Sequence, residues 1–138
     1  MSKLLYLFFV LACFSCKNNK SNTVPSDPQD IPGYESGALL YQDFCLQCHL
    51  PEGQGVEKTF PPLAGSEWLT ERRTESIHAV KFGQKGPIEV LGQPYNSNMP
   101  PMGLTDQEVA DVMNYIMNSW GNSSTKLVDA EEVASVNK

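Results

Sequence analysis

The chain has 138 residues, enough for one domain of ordinary size and too few for a multidomain enzyme. Ten Lys and Arg stand against 16 Asp and Glu, a formal net charge of −6 and a pI near 4.8, which excludes a phosphate-binding basic surface and with it nucleic acid as a partner. Apolar residues reach 41%, charged residues only 19%, and Gly and Pro number 10 each, the balance of a domain whose loops wrap around something.

The first element is a leader. Lys3 precedes the continuous apolar run LLYLFFVLA at 4–12, which is too short for a membrane-spanning helix of about 20 residues and fits an export signal. Polar KNNKSN follows at 17–22. A small residue and then Cys at this junction resembles a bacterial lipoprotein signal, with residues 1–15 removed and Cys16 lipidated. Cys13 in VLAC competes for that role, and a plain cleaved signal remains the simpler alternative. Residues 16–33, rich in Asn, Ser and Pro, read as a flexible tether between a membrane and the domain, with a reach of roughly 20–25 Å as a random coil.

The folded domain is expected over 34–121. In SGALLYQDFCLQCH (36–49), Ala38, Leu39, Tyr41 and Phe44 recur at helical intervals, and Pro51 and Gly53 stop the helix. Residues 50–65 are loop. A second helical segment lies within 66–82, with Ser66 and Thr74 as candidate N-caps and Gly83 as its stop. Residues 83–103, with four Gly and four Pro, are loop again. The clearest helix runs from Thr105 to about Trp120. Thr105-Asp106-Gln107-Glu108 is a capping box, and Val109, Val112, Met113, Ile116 and Trp120 form one apolar stripe ended by Gly121. Residues 122–138 form an extension with a possible short helix at 129–136, capped by Asp129. No segment shows strand alternation, so the class is all-α.

Cys45-Leu46-Gln47-Cys48-His49 carries the chemistry. Two thiols three residues apart, followed at once by His, are the attachment signature of a c-type haem. The thiols suit the two vinyl groups on one porphyrin edge and the imidazole suits the iron. A redox C-x-x-C would need a βαβ context. A zinc site would need four ligands, and beyond these three residues only His78 remains. A plain Cys45–Cys48 disulfide would account for neither His49 nor the long loops.

From Gly37 to Gly121 the chain resembles a class I, monohaem cytochrome c. FPPLAGSEW (60–68), GQPYNSNMP (92–100) and NSWGN (118–122) are similar to a bacterial, lipoprotein subgroup. The resemblance implies the class I fold, three to four helices and long loops around one covalent haem c. It implies His49 and Met99 as axial ligands, with Met99 preferred to Met102 because Pro100 follows it. It implies that the Pro61 carbonyl accepts the free N–H of His49 and that Leu63 presses on the haem face. Trp68, Gln93 and Tyr95 are candidates to reach the propionates. Gly37 allows close crossing of the first and last helices, with Tyr41 and Tyr115 at the crossing. Met113 and Met117 are core, and His78 is structural or on the surface. The implied function is single-electron transfer between redox protein partners, stand-alone or as the cytochrome subunit of a membrane dehydrogenase or reductase, with no bond-making substrate at the iron and thus no enzyme. Anchoring would be by lipid, facing the periplasm. A haem enzyme or gas-binding haem protein with an open iron site is the alternative. The attachment motif and 92–103 contain no Asp, Glu, Lys or Arg, which points to an apolar docking patch of Leu46, Pro100, Pro101 and Met102.

Overall fold

A computed structural model describes residues 24–138; the expected leader, Cys13 and Cys16 lie outside the described residues. Six short helices and one small hairpin make up the domain: α1 Tyr34–Leu40, α2 Leu46–His49, α3 Trp68–Glu71, α4 Arg73–Phe82, β1 Ile88–Val90, β2 Gln93–Tyr95, α5 Asp106–Ile116 and α6 Ala130–Ser135.

α5 is the axis of the fold. Thr105 accepts from the Glu108 N–H and Glu108 reaches back to the Thr105 N–H, so the expected capping box is complete. Val109, Val112, Met113 and Ile116 are buried as the stripe requires. The helix ends at Ile116, short of Trp120, because the residues that follow compete for its carbonyls. Asn118, Ser119 and Asn122 donate side-chain hydrogen bonds to the carbonyls of Asn114, Tyr115 and Ile116.

α1 crosses α5 at Gly37. A Cβ there would lie 2.2 Å from the Asp111 carbonyl oxygen, so only glycine permits this approach. Beyond α1 the helix widens into a single π turn, Tyr41–Cys45, in which the Leu46 N–H reaches the Tyr41 carbonyl. The extra residue per turn shifts the register. Tyr41 is buried, whereas Leu39 and Phe44, expected on the same apolar face, are exposed. The segment 66–82 is likewise two helices rather than one, broken at Arg72. Neither Ser66 nor Thr74 caps them: the N-cap residues are Glu67 and Arg72, without a side-chain cap. The Ser76 hydroxyl instead binds the Trp68 and Arg72 carbonyls at the break. Gly83 ends α4 at φ 85°.

The loop expected over 83–103 contains an antiparallel hairpin, Ile88 opposite Tyr95 and Val90 opposite Gln93. It is clipped to α3, where the Glu67 carboxylate accepts the Leu91 N–H.

Both ends of the described chain are bound to the domain. On the N-terminal side, Pro28–Asp30 forms a 3-10 turn and Ile31 is buried, so packing begins before the expected boundary at Tyr34. On the C-terminal side, Asp129 caps α6, and Leu127, Val128, Val133 and Val136 are buried, each contributing about 1.5–3 kcal/mol. The Asn114 amide pairs with both the N–H and the carbonyl of Val128 at 2.8 Å. Arg73 makes two hydrogen bonds to Glu132, at 2.6 and 2.9 Å, and binds the Lys126 and Leu127 carbonyls. Lys81 binds the Val133 carbonyl.

Candidate haem site

His49 ends α2, and its ring is buried. Its Nδ1 lies 2.9 Å from the Pro61 carbonyl oxygen. That acceptor makes Nδ1 the donor and leaves Nε2 as the lone-pair nitrogen. Burial holds the imidazolium below its ordinary value, with the Pro61 bond partly opposing it, so the ring is neutral and fit to bind a metal.

Two glycines allow Pro61 to come so close. Gly53, at φ 61°, offers its carbonyl to the Leu63 and Ala64 N–H groups at 2.7 and 2.9 Å. Gly55, at φ 65°, donates to the His49 carbonyl, and a Cβ there would stand 2.4 Å from the Phe60 oxygen. These backbone contacts draw the Pro-Pro-Leu-Ala segment onto the histidine turn, and the Asn122 amide adds a bond to the Leu63 carbonyl.

Cys45 and Cys48 are both half-buried. Burial, with the neighbouring Cys48 second, pushes the Cys45 thiol up to about 11. Among the described residues no three His, Cys, Asp or Glu side chains gather into one cluster.

Met99 is placed by the opposite loop. It forms a two-bond bridge with Gln84, both bonds 2.9 Å, and a Cβ on Gly83 would lie 2.6 Å from its carbonyl oxygen. Its side chain is half-buried against the core, as are Leu63, Phe82, Leu104 and Cys45. Met102 is half-buried too, while Pro100 and Pro101 are exposed. These residues fit a haem: a neutral imidazole with one nitrogen spent, a thioether, two thiols on one turn and apolar surface that the core does not cover.

The Trp68 indole N–H donates to the Glu89 carbonyl at 2.7 Å. Gln93 is an exposed strand residue and Tyr95 a buried one, opposite Ile88. His78 lies in α4 with its ring 5.2 Å from that of Phe82. Residue reading gave no hydrogen-bonding role to Tyr41, whose hydroxyl donates to the Leu50 carbonyl at 2.6 Å. Its position one turn ahead of the motif was the available signal.

The family model for cytochrome c matches residues 34–120. The chain belongs to the cytochrome c family. It is 40% identical to cytochrome c-552 of Thermus thermophilus over 106 residues, 70% of this chain and 80% of that protein. It is 38% identical over 111 residues to the gluconate 2-dehydrogenase cytochrome c subunit of Pantoea cypripedii, covering 75% of this chain and 24% of that subunit. The alcohol dehydrogenase (quinone) cytochrome c subunit of Gluconobacter oxydans is 37% identical over 101 residues, with 71% of this chain and 21% of that subunit covered. The chain thus spans about a quarter or less of these dehydrogenase subunits. As a cytochrome c it carries a covalently bound haem c and transfers electrons, and Cys45 and Cys48 fit the attachment motif.

Proposed function

We propose that this cytochrome c is a monohaem carrier with His49 and Met99 as axial ligands and Cys45 and Cys48 as attachment points, not itself an enzyme. The observation that carries this is the bond from His49 Nδ1 to the Pro61 carbonyl, which leaves Nε2 for iron. Bound haem supplies a reversible one-electron change between Fe(II) and Fe(III). The chain's own part is to hold the neutral imidazole through Pro61, to present the Met99 sulfur through the Gln84 bridge, and to keep water from the buried face. With His49 and Met99 both holding the iron, no open site would remain for peroxide or a gas.

The ferric absorption spectrum tests this. A weak far-red band from a thioether on iron is expected, lost in Met99→Leu and retained in Met102→Leu. Retention in the first and loss in the second would transfer the ligand to Met102. A high-spin ferric spectrum in the native protein would favour an open-site haem protein.

The proposal extends to location and partners. The apolar run 4–12 and Cys16 support export with a lipid anchor, and no helix among the described residues is long and apolar enough to cross a membrane. The donor and acceptor are redox proteins, in keeping with relatives that are subunits of dehydrogenases. Mass spectrometry of the mature N-terminus decides the anchor: a lipidated Cys16 is expected, and an unmodified start at or after Lys17 ends that reading.

A further inference from the structure

Leu50 follows the histidine and holds a backbone conformation, φ 64° and ψ 165°, that is open essentially to glycine alone. A leucine there must be held. Its carbonyl accepts two hydrogen bonds, from the Gly53 N–H at 3.1 Å and from the Tyr41 hydroxyl at 2.6 Å. Tyr41 stands at the start of the π turn and Leu50 just past the motif, so this side chain closes a clasp around Cys45–His49. The tyrosine is itself immobilised. It is 2% exposed, with the Trp120 and Tyr115 rings 4.9 and 5.6 Å away. Burial raises its pKa, so the hydroxyl remains a donor across the physiological range.

We propose that Tyr41 is a positioning residue for His49: its hydroxyl fixes the carbonyl directly after the histidine, holds Leu50 in its glycine-like conformation, and thereby keeps His49 Nδ1 on the Pro61 carbonyl. The inference rests on the reading of His49 as axial ligand. A ring bonded at Nδ1 is a more basic ligand. Loosening that bond weakens donation to iron and favours Fe(II), which raises the reduction potential.

The test uses the holoprotein and three variants: Tyr41→Phe, Tyr41→Phe with Leu50→Gly, and Tyr34→Phe. Tyr34 is the control because its hydroxyl, 3.0 Å from that of Ser119, lies in the same aromatic group and its ring packs 5.1 Å from Tyr115. Tyr41→Phe is expected to shift the hyperfine-displaced His49 ring resonances in the ferric proton spectrum and to raise the midpoint potential. Tyr34→Phe leaves both in place. Adding Leu50→Gly returns both toward the native values, since glycine takes that conformation unaided. The proposal is overturned if Tyr41→Phe lowers only the melting temperature, or if Tyr34→Phe gives the same shifts. If Tyr41→Phe yields no holoprotein, recovery by Leu50→Gly supports the clasp and failure to recover refutes it. Native ferric spectra with no displaced histidine ring resonances would instead remove His49 as ligand, independently of the variants.

Discussion

The two ends of the site are held by unequal means. Around His49, the ring nitrogen, the histidine carbonyl and the next carbonyl each have a partner, drawn from Pro61, Gly55, Gly53 and Tyr41. Around Met99, one two-bond bridge to Gln84 and the bare face of Gly83 hold the backbone. The histidine turn is held from three sides, by Tyr41, by the Gly53 and Gly55 turn and by Pro61. The methionine loop depends on one strand-like contact, so ligand exchange should begin on that side.

The largest effect is expected from Cys45→Ala or Cys48→Ala. A domain this small, with two long loops, relies on its cofactor as core. Most folded holoprotein should be lost, read by haem content and far-ultraviolet circular dichroism. Cooperative unfolding and native helicity in a haem-free chain would contradict it. Gly55→Ala attacks the histidine side. Its positive φ and the 2.4 Å approach to the Phe60 oxygen should cost at least about 2 kcal/mol in denaturant unfolding.

Arg73→Ala serves as a remote control, since it touches neither ligand. Losing its bonds to Glu132 and two carbonyls should cost about 1–3 kcal/mol with the potential unchanged. Hydrogen bonding by Arg73 holds Glu132 below its ordinary 4.5. The pair therefore stabilises the fold above that pH, and its contribution fades as pH falls through the depressed value. Urea titrations should show the two proteins diverging at neutral pH and converging in acid. Equal differences at both pH values would disprove the link.

Met99→Leu should be milder for stability, less than about 1.5 kcal/mol, because volume is conserved. Its mark is electronic: a fall in potential of roughly a few tenths of a volt. A stability loss matching that of Gly55→Ala would erase the contrast between the two sides. Smallest is Met102→Lys beside the methionine loop. With a docking patch free of charge, partner electron transfer should slow by a few-fold and the native rate should depend weakly on salt. A steep decline with salt together with indifference to Met102→Lys would replace apolar docking with charge steering.

Features set by near neighbours in the chain were legible. The capping box at Thr105, the stop at Gly83 and the Asp129 cap all act within one helical turn. The pairing of Pro61 with His49 was readable only through resemblance, because it spans a loop. The hairpin at 88–95 was missed because strands of three residues carry no alternation to count. The π turn was missed because composition does not mark an inserted residue, and within it Phe44 is exposed.

The polar side of α5 shows what decides the remainder. Asn114, Asn118 and Ser119 are polar, yet all three are buried and hydrogen-bonded. The extension over 122–138 supplies partners to the two asparagines, Val128 to Asn114 and the Ser124 N–H to Asn118, which makes their burial satisfied rather than costly. By itself the sequence determined the attachment motif, the helix-start chemistry and the electron-transfer class, because each resides in contiguous residues with a fixed spacing. Tertiary structure alone decided that the Tyr41 hydroxyl reaches the Leu50 carbonyl and that both flanks belong to the domain. Those outcomes depend on partners that meet only when the chain folds back on itself, whose pairing motif spacing does not encode.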